Sequence, residues 1–326
     1  LSALPQYHEP SLEETLSRYD IGTLRRYWQA TNGIENSNYF VQTEDAGRHR
    51  EFVLTIMEQA ANAGEAYVPM MDTLYAGGLP VAPPLLNMAG LPIENLAGKP
   101  ALLQQRLAGQ HVYNPTIKQV CALARFVARM HLTMQRVDIK LPEYPRNATW
   151  LAERANIAKG YLPFSDQCLL DESVVKARSL LARGDVQALP QGMIHGDLFR
   201  DNVLFNGQGL TGVLDFHHAA SGFWIYDLAV AANDWCNDTS GSLDPERTTA
   251  MLRAYHQIRP LTRAELWFFS SFALYAALTF WLSRLAVALN QKTAPLVRFK
   301  NPDDFKRIVQ HHARFQFYLD PRRLTV

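Results

Sequence analysis

Residues 193–215, MIHGDLFRDNVLFNGQGLTGVLD, decide how the rest of the chain is read. The stretch reads as strand, loop, strand, turn, strand. Met193-Ile194 is a short apolar entry, and residues 203–205 (VLF) and 210–214 (LTGVL) are short β-prone runs. Between those two runs, Asn206-Gly207-Gln208-Gly209 supplies the turn chemistry of a hairpin. The polar residues fall at strand ends, where a rigid scaffold can aim them into a cleft. Three of them, Asp197, Asn202 and Asp215, make a set of hard oxygen donors.

That set suits phosphoryl transfer. Moving a phosphoryl group from a nucleotide is mostly positioning and charge neutralisation. One carboxylate must orient and deprotonate the attacking hydroxyl, and hard oxygens must hold Mg²⁺ against the phosphates. Asp197 answers the first demand, Asn202 and Asp215 the second. The order H-G-D-x-x-x-x-N followed by D-F parallels the H-R-D-x-x-x-x-N and D-F-G elements of protein kinases. As HGDLFRDN…LDF it resembles the aminoglycoside-phosphotransferase branch of the kinase-like superfamily, where Gly replaces the Arg. The plain alternative is a surface hairpin with solvated Asp and Asn in its turns. The full spacing, with apolar strands in the gaps, tells against it.

Bulk properties narrow the field. At 326 residues the chain predicts two domains or lobes with sizeable cores. Its 48% hydrophobic and 19% charged content describes a folded, soluble protein. A net charge of +1 gives no pull toward nucleic acid or an anionic membrane. Cys121, Cys168 and Cys236 are few, odd in number and widely spaced, as in a reducing cytosol, and no C-x-x-C suggests structural zinc. His311-His312 is expected on a polar face of the last helix. The N-terminus, LSALPQYHEPSLEETL, lacks the basic start and apolar core of a signal peptide, so a cytoplasmic location is expected. Residues 266–283, LWFFSSFALYAALTFWLS, carry no charge. Ser270, Ser271, Thr279 and Ser283 interrupt them and Arg284 follows, so the expectation is a buried central helix and not a membrane span.

In chain order, Ser11 and Glu14 form a capping-box pattern opening a short helix to about Tyr19. Strand-like runs follow at 24–30, 39–43 and 51–57, with Asp45-Ala46-Gly47 as a turn. Residues 65–75 have helical spacing at Tyr67, Met70, Met71 and Leu74 and stop at Gly77-Gly78. Residues 101–107, ALLQQRL, predict the last strand before a hinge. Asn114-Pro115 then caps a helix with an apolar stripe at Ile117, Val120, Cys121, Ala124, Val127 and Met130, closed by His131, read as a core histidine. Residues 150–182 read as amphipathic helix and 245–317 as largely helix.

Six segments carry a more specific likeness. GIENSNYFV (33–41), FVLTIME (52–58), LAGKPALLQQRLAG (96–109), HGDLFRDNVLF (195–205), LDF (214–216) and YDLAVAANDWC (226–236) together resemble the homoserine kinase family of the aminoglycoside-phosphotransferase-like type, over about residues 20–290. The resemblance implies an α+β, protein-kinase-like two-lobed fold. Residues 1–108 would form a small antiparallel β-sheet lobe with one helix that binds nucleotide. Residues 109–326 would form a larger, mostly helical lobe with the catalytic loop and the acceptor site. It further implies ATP and Mg²⁺ as cofactors and L-homoserine, an intermediate on the route to threonine, as the small-molecule acceptor.

By the same resemblance Asp197 is the base that takes the hydroxyl proton, and Asn202 and Asp215 are the metal ligands. Asn32, Gly33, Asn36, Ser37 and Asn38 belong to the phosphate-covering loop, and Thr55 and Gln105 join the nucleotide contacts. Arg200 is the candidate for pairing with the substrate carboxylate, since a guanidinium pairs bidentately. Asp227 either meets a substrate ammonium or holds the catalytic loop through backbone hydrogen bonds. His217, Tyr226 and Asn233 would line the acceptor pocket, and His195 would support the loop. Two departures stand out. Thr55 occupies the strand position where kinases carry Lys, so Lys99, an Arg or backbone donors must neutralise the phosphates. Asp215-Phe216-His217 lacks the glycine of D-F-G, which argues for a constitutively formed metal site. An aminoglycoside, choline or methylthioribose kinase is the same-class alternative. A non-catalytic nucleotide-binding regulator, suggested by the missing Lys, is the other.

Overall fold

Strict alternation of buried and half-buried residues along one strand sets the first unit of the chain, which ends at Ala108. The computed structural model describes residues 9–30, 36–58, 65–290 and 300–324. The first unit holds helix α1 (Glu9–Leu16), strands β1 (Thr23–Gln29), β2 (Ser37–Asp45) and β3 (Arg48–Ile56), helix α2 (Tyr67–Ala76), and strands β4 (Glu94–Leu96) and β5 (Lys99–Gln105). The sheet is antiparallel throughout, in the order β1-β2-β3-β5-β4. Tyr39, Val41, Phe52, Leu54, Ile56 and Leu103 turn one face onto Leu12 and Leu16 of α1. Burying each such side chain stabilises by about 1.5–3 kcal/mol. A slip of one residue would turn the whole set outward, so this face pins the register. The other face carries Trp28, Phe40, Val53 and Thr55, with the Trp28 and Phe40 rings 5.6 Å apart and the Arg106 guanidinium 4.5 Å over Phe40. Ala46 and Gly47, at φ 48° and 76°, make the mirrored turn that joins β2 to β3.

Two details differ from the sequence reading. Helix α1 starts at Glu9, so Ser11 lies inside it and is not its N-cap; the Ser11 carbonyl accepts from Thr15 Oγ1 at 2.9 Å. Among the described residues the unit also holds two helices, as the chain-order reading expected, where the family resemblance implied one.

The second unit, from Gly109, is mostly helix. It comprises α3 (Ile117–Met134), α4 (Ala148–Lys159), α5 (Phe164–Leu181), α6 (Gly184–Gln187), β6 (Gln191–Ile194), β7 (Val203–Asn206), β8 (Gly209–Val213), β9 (Ala220–Phe223), α7 (Trp224–Trp235), α8 (Pro245–His256), α9 (Arg263–Asn290) and α10 (Pro302–Arg314). Helix α9 packs against α4, α5, α7 and α10. By length and composition it could cross a membrane, yet most of its apolar stretch is interior: Phe269, Phe272, Ala276, Leu278 and Trp281 are all buried. The cap of α3 is Thr116, not Asn114-Pro115. Thr116 Oγ1 accepts from the Gln119 amide at 3.3 Å while Gln119 Oε1 accepts from the Thr116 amide at 2.9 Å. The helix also runs past His131 to Met134. The stretch 150–182 is two helices, broken between Lys159 and Phe164. Pro163, which has no amide hydrogen and disfavours helical backbone before it, sits at the N-cap of α5.

Candidate active site

Two small antiparallel sheets, β6 with β9 and β7 with β8, hold the loop 195–202 at both ends. Gly196 sits at φ +77°, and a Cβ there would stand 3.2 Å from both the His218 carbonyl and the Tyr144 ring. Only glycine takes that backbone with that little room. Behind the loop, the wholly buried Asp227 on α7 gathers its donors. The His195 amide gives to Oδ2 at 2.8 Å, the Gly196 amide to Oδ1 at 2.8 Å, and His131 Nε2 to Oδ2 at 3.1 Å. His131 Nδ1 in turn accepts from the Tyr255 hydroxyl at 2.8 Å. Burial pushes the His131 imidazole below its ordinary range, against the pull of Asp227. Asp227 therefore holds the loop and does not meet a substrate ammonium; every donor around it comes from the chain.

In front of the loop the three oxygen-bearing residues converge. Asn202 Nδ2 donates to both the carbonyl and Oδ2 of Asp197, each at 2.8 Å. That turns the amide nitrogen to Asp197, so Oδ1 is the atom Asn202 could offer to a cation. The Leu214 amide donates to the Asn202 carbonyl at 2.8 Å, and His195 Nε2 donates to the Leu214 carbonyl at 2.9 Å. These bonds fasten Asp215 beside the loop. Asp215 itself adopts left-handed backbone, φ 61° and ψ 59°, a conformation that non-glycine residues adopt at a cost. Phe216 buries its ring 4.6 Å from His195. The Asp197 carboxyl is pushed above the usual carboxylate range, first by burial and then by the Asp215 charge, while His218, Arg146 and His195 pull it back. Such a group is a better proton acceptor than a solvated aspartate.

Among the described residues no three His, Cys, Asp or Glu side chains group as a metal cluster. Asn202 and Asp215 nonetheless fit a hard divalent cation that takes few protein ligands and fills its shell with phosphate and water. The Asp215 charge, which adds to burial in raising Asp197, is one that such a cation would offset.

The acceptor residues expected from sequence fare differently. Tyr226 is buried. Thr279 Oγ1 gives its proton to the Tyr275 carbonyl at 2.6 Å, so the Tyr226 hydroxyl donates to Thr279 at 3.2 Å and accepts from Tyr144 at 2.7 Å. Asn233 is also buried; it donates to the Ala273 carbonyl at 2.8 Å and accepts from His312 Nε2 at 2.9 Å. Both are interior packing, not pocket lining. Arg200 embraces Asp234, with Nε and Nη2 at 3.1 Å from its two oxygens, and donates to the Tyr113 carbonyl. Its fork is spent within the chain, so it braces the loop and is not positioned as a carboxylate clamp. His217 is half-buried two residues beyond Asp215. Sequence reading missed Asp234, Tyr144, His218 and Arg146. Only Asp234 sat in a quoted motif, YDLAVAANDWC.

In the first unit, Asn32 and Gly33 lie outside the described residues. Asn36 is half-buried just before β2. Asn38 and Thr55 face each other across β2 and β3, and Thr55 Oγ1 donates to Asn38 Oδ1 at 2.7 Å. Ser37 Oγ donates to Glu58 at 2.5 Å, and Lys99 forms an ion pair with Glu58. Ile56 is opposite Ala101 and Thr55 opposite Leu102, so Lys99 springs from the face of Ile56, away from Thr55. Gln105 is exposed at the end of β5, opposite Phe52.

Comparison with known proteins identifies the family. The phosphotransferase enzyme family matches residues 28–261. A homoserine kinase of Pseudomonas aeruginosa (strain LESB58) is 39% identical over 321 residues, covering 98% of this chain and 99% of that protein. One of Methylobacillus flagellatus is 36% identical over 301 residues, 92% of each. Among solved structures, amicoumacin kinase in complex with AMP-PNP, Ca²⁺ and Ami superposes with a TM-score of 0.69 at 17% identity, over 94% of this chain and 93% of that one. A microcompartment-associated aminopropanol kinase gives 0.67 at 17% identity, over 94% of each. At such low identity these two establish the kinase-like α+β fold alone.

Proposed function

This chain belongs to the homoserine kinase family of phosphotransferases, which act on an alcohol group, and we infer that it moves the γ-phosphoryl group of ATP, with Mg²⁺, onto the side-chain hydroxyl of L-homoserine. The observation that carries the reading is the clasp of Asp197 by Asn202 with Asp215 fastened alongside. Asp197 takes the proton of the attacking hydroxyl as the new O–P bond forms and the bond to the ADP oxygen breaks. Burial and the neighbouring Asp215 charge make it basic enough for that task. Asn202 orients the carboxylate through its amide nitrogen and, with Asp215, would hold the divalent ion through oxygen. When bound, that ion supplies positive charge against the phosphates. Asp227 and Arg200 keep the loop in place from behind and from the side.

The two units are proposed to divide the labour at Ala108/Gly109, the first contributing nucleotide contacts and the second the chemistry. Asn36, Ser37, Asn38, Thr55 and Gln105 are the first unit's proposed nucleotide residues, with Thr55 and Asn38 offering polar atoms where other kinases offer an ammonium. His217 is proposed beside the acceptor. All three cysteines are free thiols, and the cytoplasm, where ATP is abundant, is the proposed compartment.

The test is ADP release with Mg-ATP and L-homoserine, comparing wild type with Asp197→Asn. The expected loss in kcat is about 10²–10⁴-fold. Equal rates in the two proteins would remove Asp197 from its role. Turnover of a different hydroxylated amine in place of homoserine would move the substrate assignment.

A further inference from the structure

Helix α8 supplies the far end of a line of hydrogen bonds that reaches the catalytic loop. The Tyr255 hydroxyl lies 2.8 Å from His131 Nδ1 on α3, and His131 Nε2 lies 3.1 Å from Asp227 Oδ2 on α7. Asp227 receives the His195 and Gly196 amides at 2.8 Å each, and Asp197 is the next residue in the chain. Tyr255, His131 and Asp227 are all buried. Three helices that could be joined by apolar contact alone are thus joined by a polar line, which costs stability unless every member is satisfied.

The direction of each bond follows from Asp227. An ionised carboxylate can only accept, so His131 must present Nε2–H to it. A neutral imidazole then keeps its lone pair on Nδ1, and the Tyr255 hydroxyl is the donor. Burial favours the neutral ring, and the Arg259 charge presses the same way against the pull of Asp227 and Glu265. The ring is also held in place. Trp224 stacks on it at 5.2 Å with planes 6° apart, and the Tyr255 ring meets it edge-on at 5.8 Å. The Arg259 guanidinium, paired with Glu265, lies 4.7 Å over Trp224. Stacking fixes the plane of the imidazole, and the tyrosine hydroxyl selects its tautomer.

We propose that Tyr255 is a positioning residue for the phosphoryl transfer: by holding His131 as its Nε2–H tautomer it fixes the Asp227 carboxylate, and with it the two amides that set where Asp197 stands. The proposal rests on reading Asp197 as the base of a homoserine kinase. Removing the hydroxyl leaves a buried lone pair, which is relieved if the ring turns over or takes up a proton. Either event changes what Asp227 receives. A small displacement of the loop is then enough to slow transfer, since the base must stay aligned with the attacking hydroxyl.

The test is Tyr255→Phe, which keeps the ring and deletes the donor. It is read by ADP release with Mg-ATP and L-homoserine, and by NMR of the histidine ring nitrogens, with His131→Gln assigning the His131 signals. kcat should fall about 3- to 30-fold while KM for both substrates stays within about twofold. The His131 nitrogens should leave the neutral Nε2–H pattern expected of wild type. Tyr255→Phe added to His131→Gln should lower kcat little further, because the hydroxyl acts through the imidazole. Leu252→Ala, at a buried apolar position of the same helix, should destabilise the protein without lowering kcat. An unchanged kcat in Tyr255→Phe, a kcat loss matched by Leu252→Ala, or additive losses in the double variant would make Tyr255 a packing residue and overturn the proposal. Wild type with the His131 proton on Nδ1 would overturn it too, and that measurement stands even if the Phe variant fails to fold. Wild type that turns over no L-homoserine would bring down the homoserine reading itself. An active wild type with an equally active Tyr255→Phe would sink only the role of Tyr255.

Discussion

The two sides of the loop 195–202 handle carboxylates in opposite ways. Behind it, Asp227 is sealed from solvent and receives two amides and an imidazole. In front, Asp197 is half-buried, receives one side-chain amide from Asn202, and is lifted above the ordinary range by burial and by Asp215. A carboxylate saturated with donors is a bracket, since its lone pairs are used and its geometry is fixed. A carboxylate left short of donors beside a second one is reactive, and it is best relieved by a proton or a cation. The residue type is the same; the supply of donors assigns the role.

That contrast can be broken from either side. The largest effect expected on stability is from Asp227→Asn. The new amide NH₂ must face one of the backbone amides it replaces as acceptor, and the loss should be about 3 kcal/mol, read by urea unfolding, with activity falling alongside. Asp197→Asn should do the reverse, costing rate while leaving the unfolding midpoint almost unmoved. An Asp227→Asn protein of normal stability would contradict the bracket.

A smaller effect sharpens the interior side. Burial pushes the His312 imidazole down to about 3, and His131 is lowered for the same reason. Each has a folded pKa below its unfolded value near 6.5, so the unfolded chain binds protons that the folded chain refuses. Stability from this source is intact above pH 6.5 and is lost as pH falls toward 3. His312 alone should remove about 1 kcal/mol by pH 5.5. Denaturation across pH 5 to 7 should show a shallower slope for His312→Gln than for wild type; identical slopes would contradict it.

The smallest effect lies in the first unit. Thr55→Val removes the hydroxyl that donates to Asn38. A loss of about 1 kcal/mol in stability is expected, with a modest rise in KM for ATP. An unchanged KM for ATP would separate the Thr55–Asn38 pair from nucleotide binding and leave it a sheet contact only.

Much of the fold was readable because its signals are local. The alternation of β2, the Met70-Met71-Leu74 stripe of α2 and the Asn206–Gly209 turn each follow from a few neighbouring residues. Local signals misled where two of them competed. Thr116 with Gln119 outbid Asn114-Pro115 as the α3 cap, and Pro163 split what looked like one amphipathic helix. In the site, Asp197, Asn202 and Asp215 were legible from their spacing. Arg200 was misassigned because its partner Asp234 lies 34 residues away. Tyr226 and Asn233 were taken for pocket residues because polar type says nothing of burial.

By itself the sequence determined the family, the sheet and helix content, and the three side chains that chemistry demands at set intervals along one short loop. The tertiary structure decided which aspartate is saturated with donors and which is left short of them, and that Arg200 is a brace. The reason is physical. Spacing within a hairpin and its loops is set by bond geometry, whereas the donors, rings and charges around a carboxylate arrive from helices whose meeting is a result of packing.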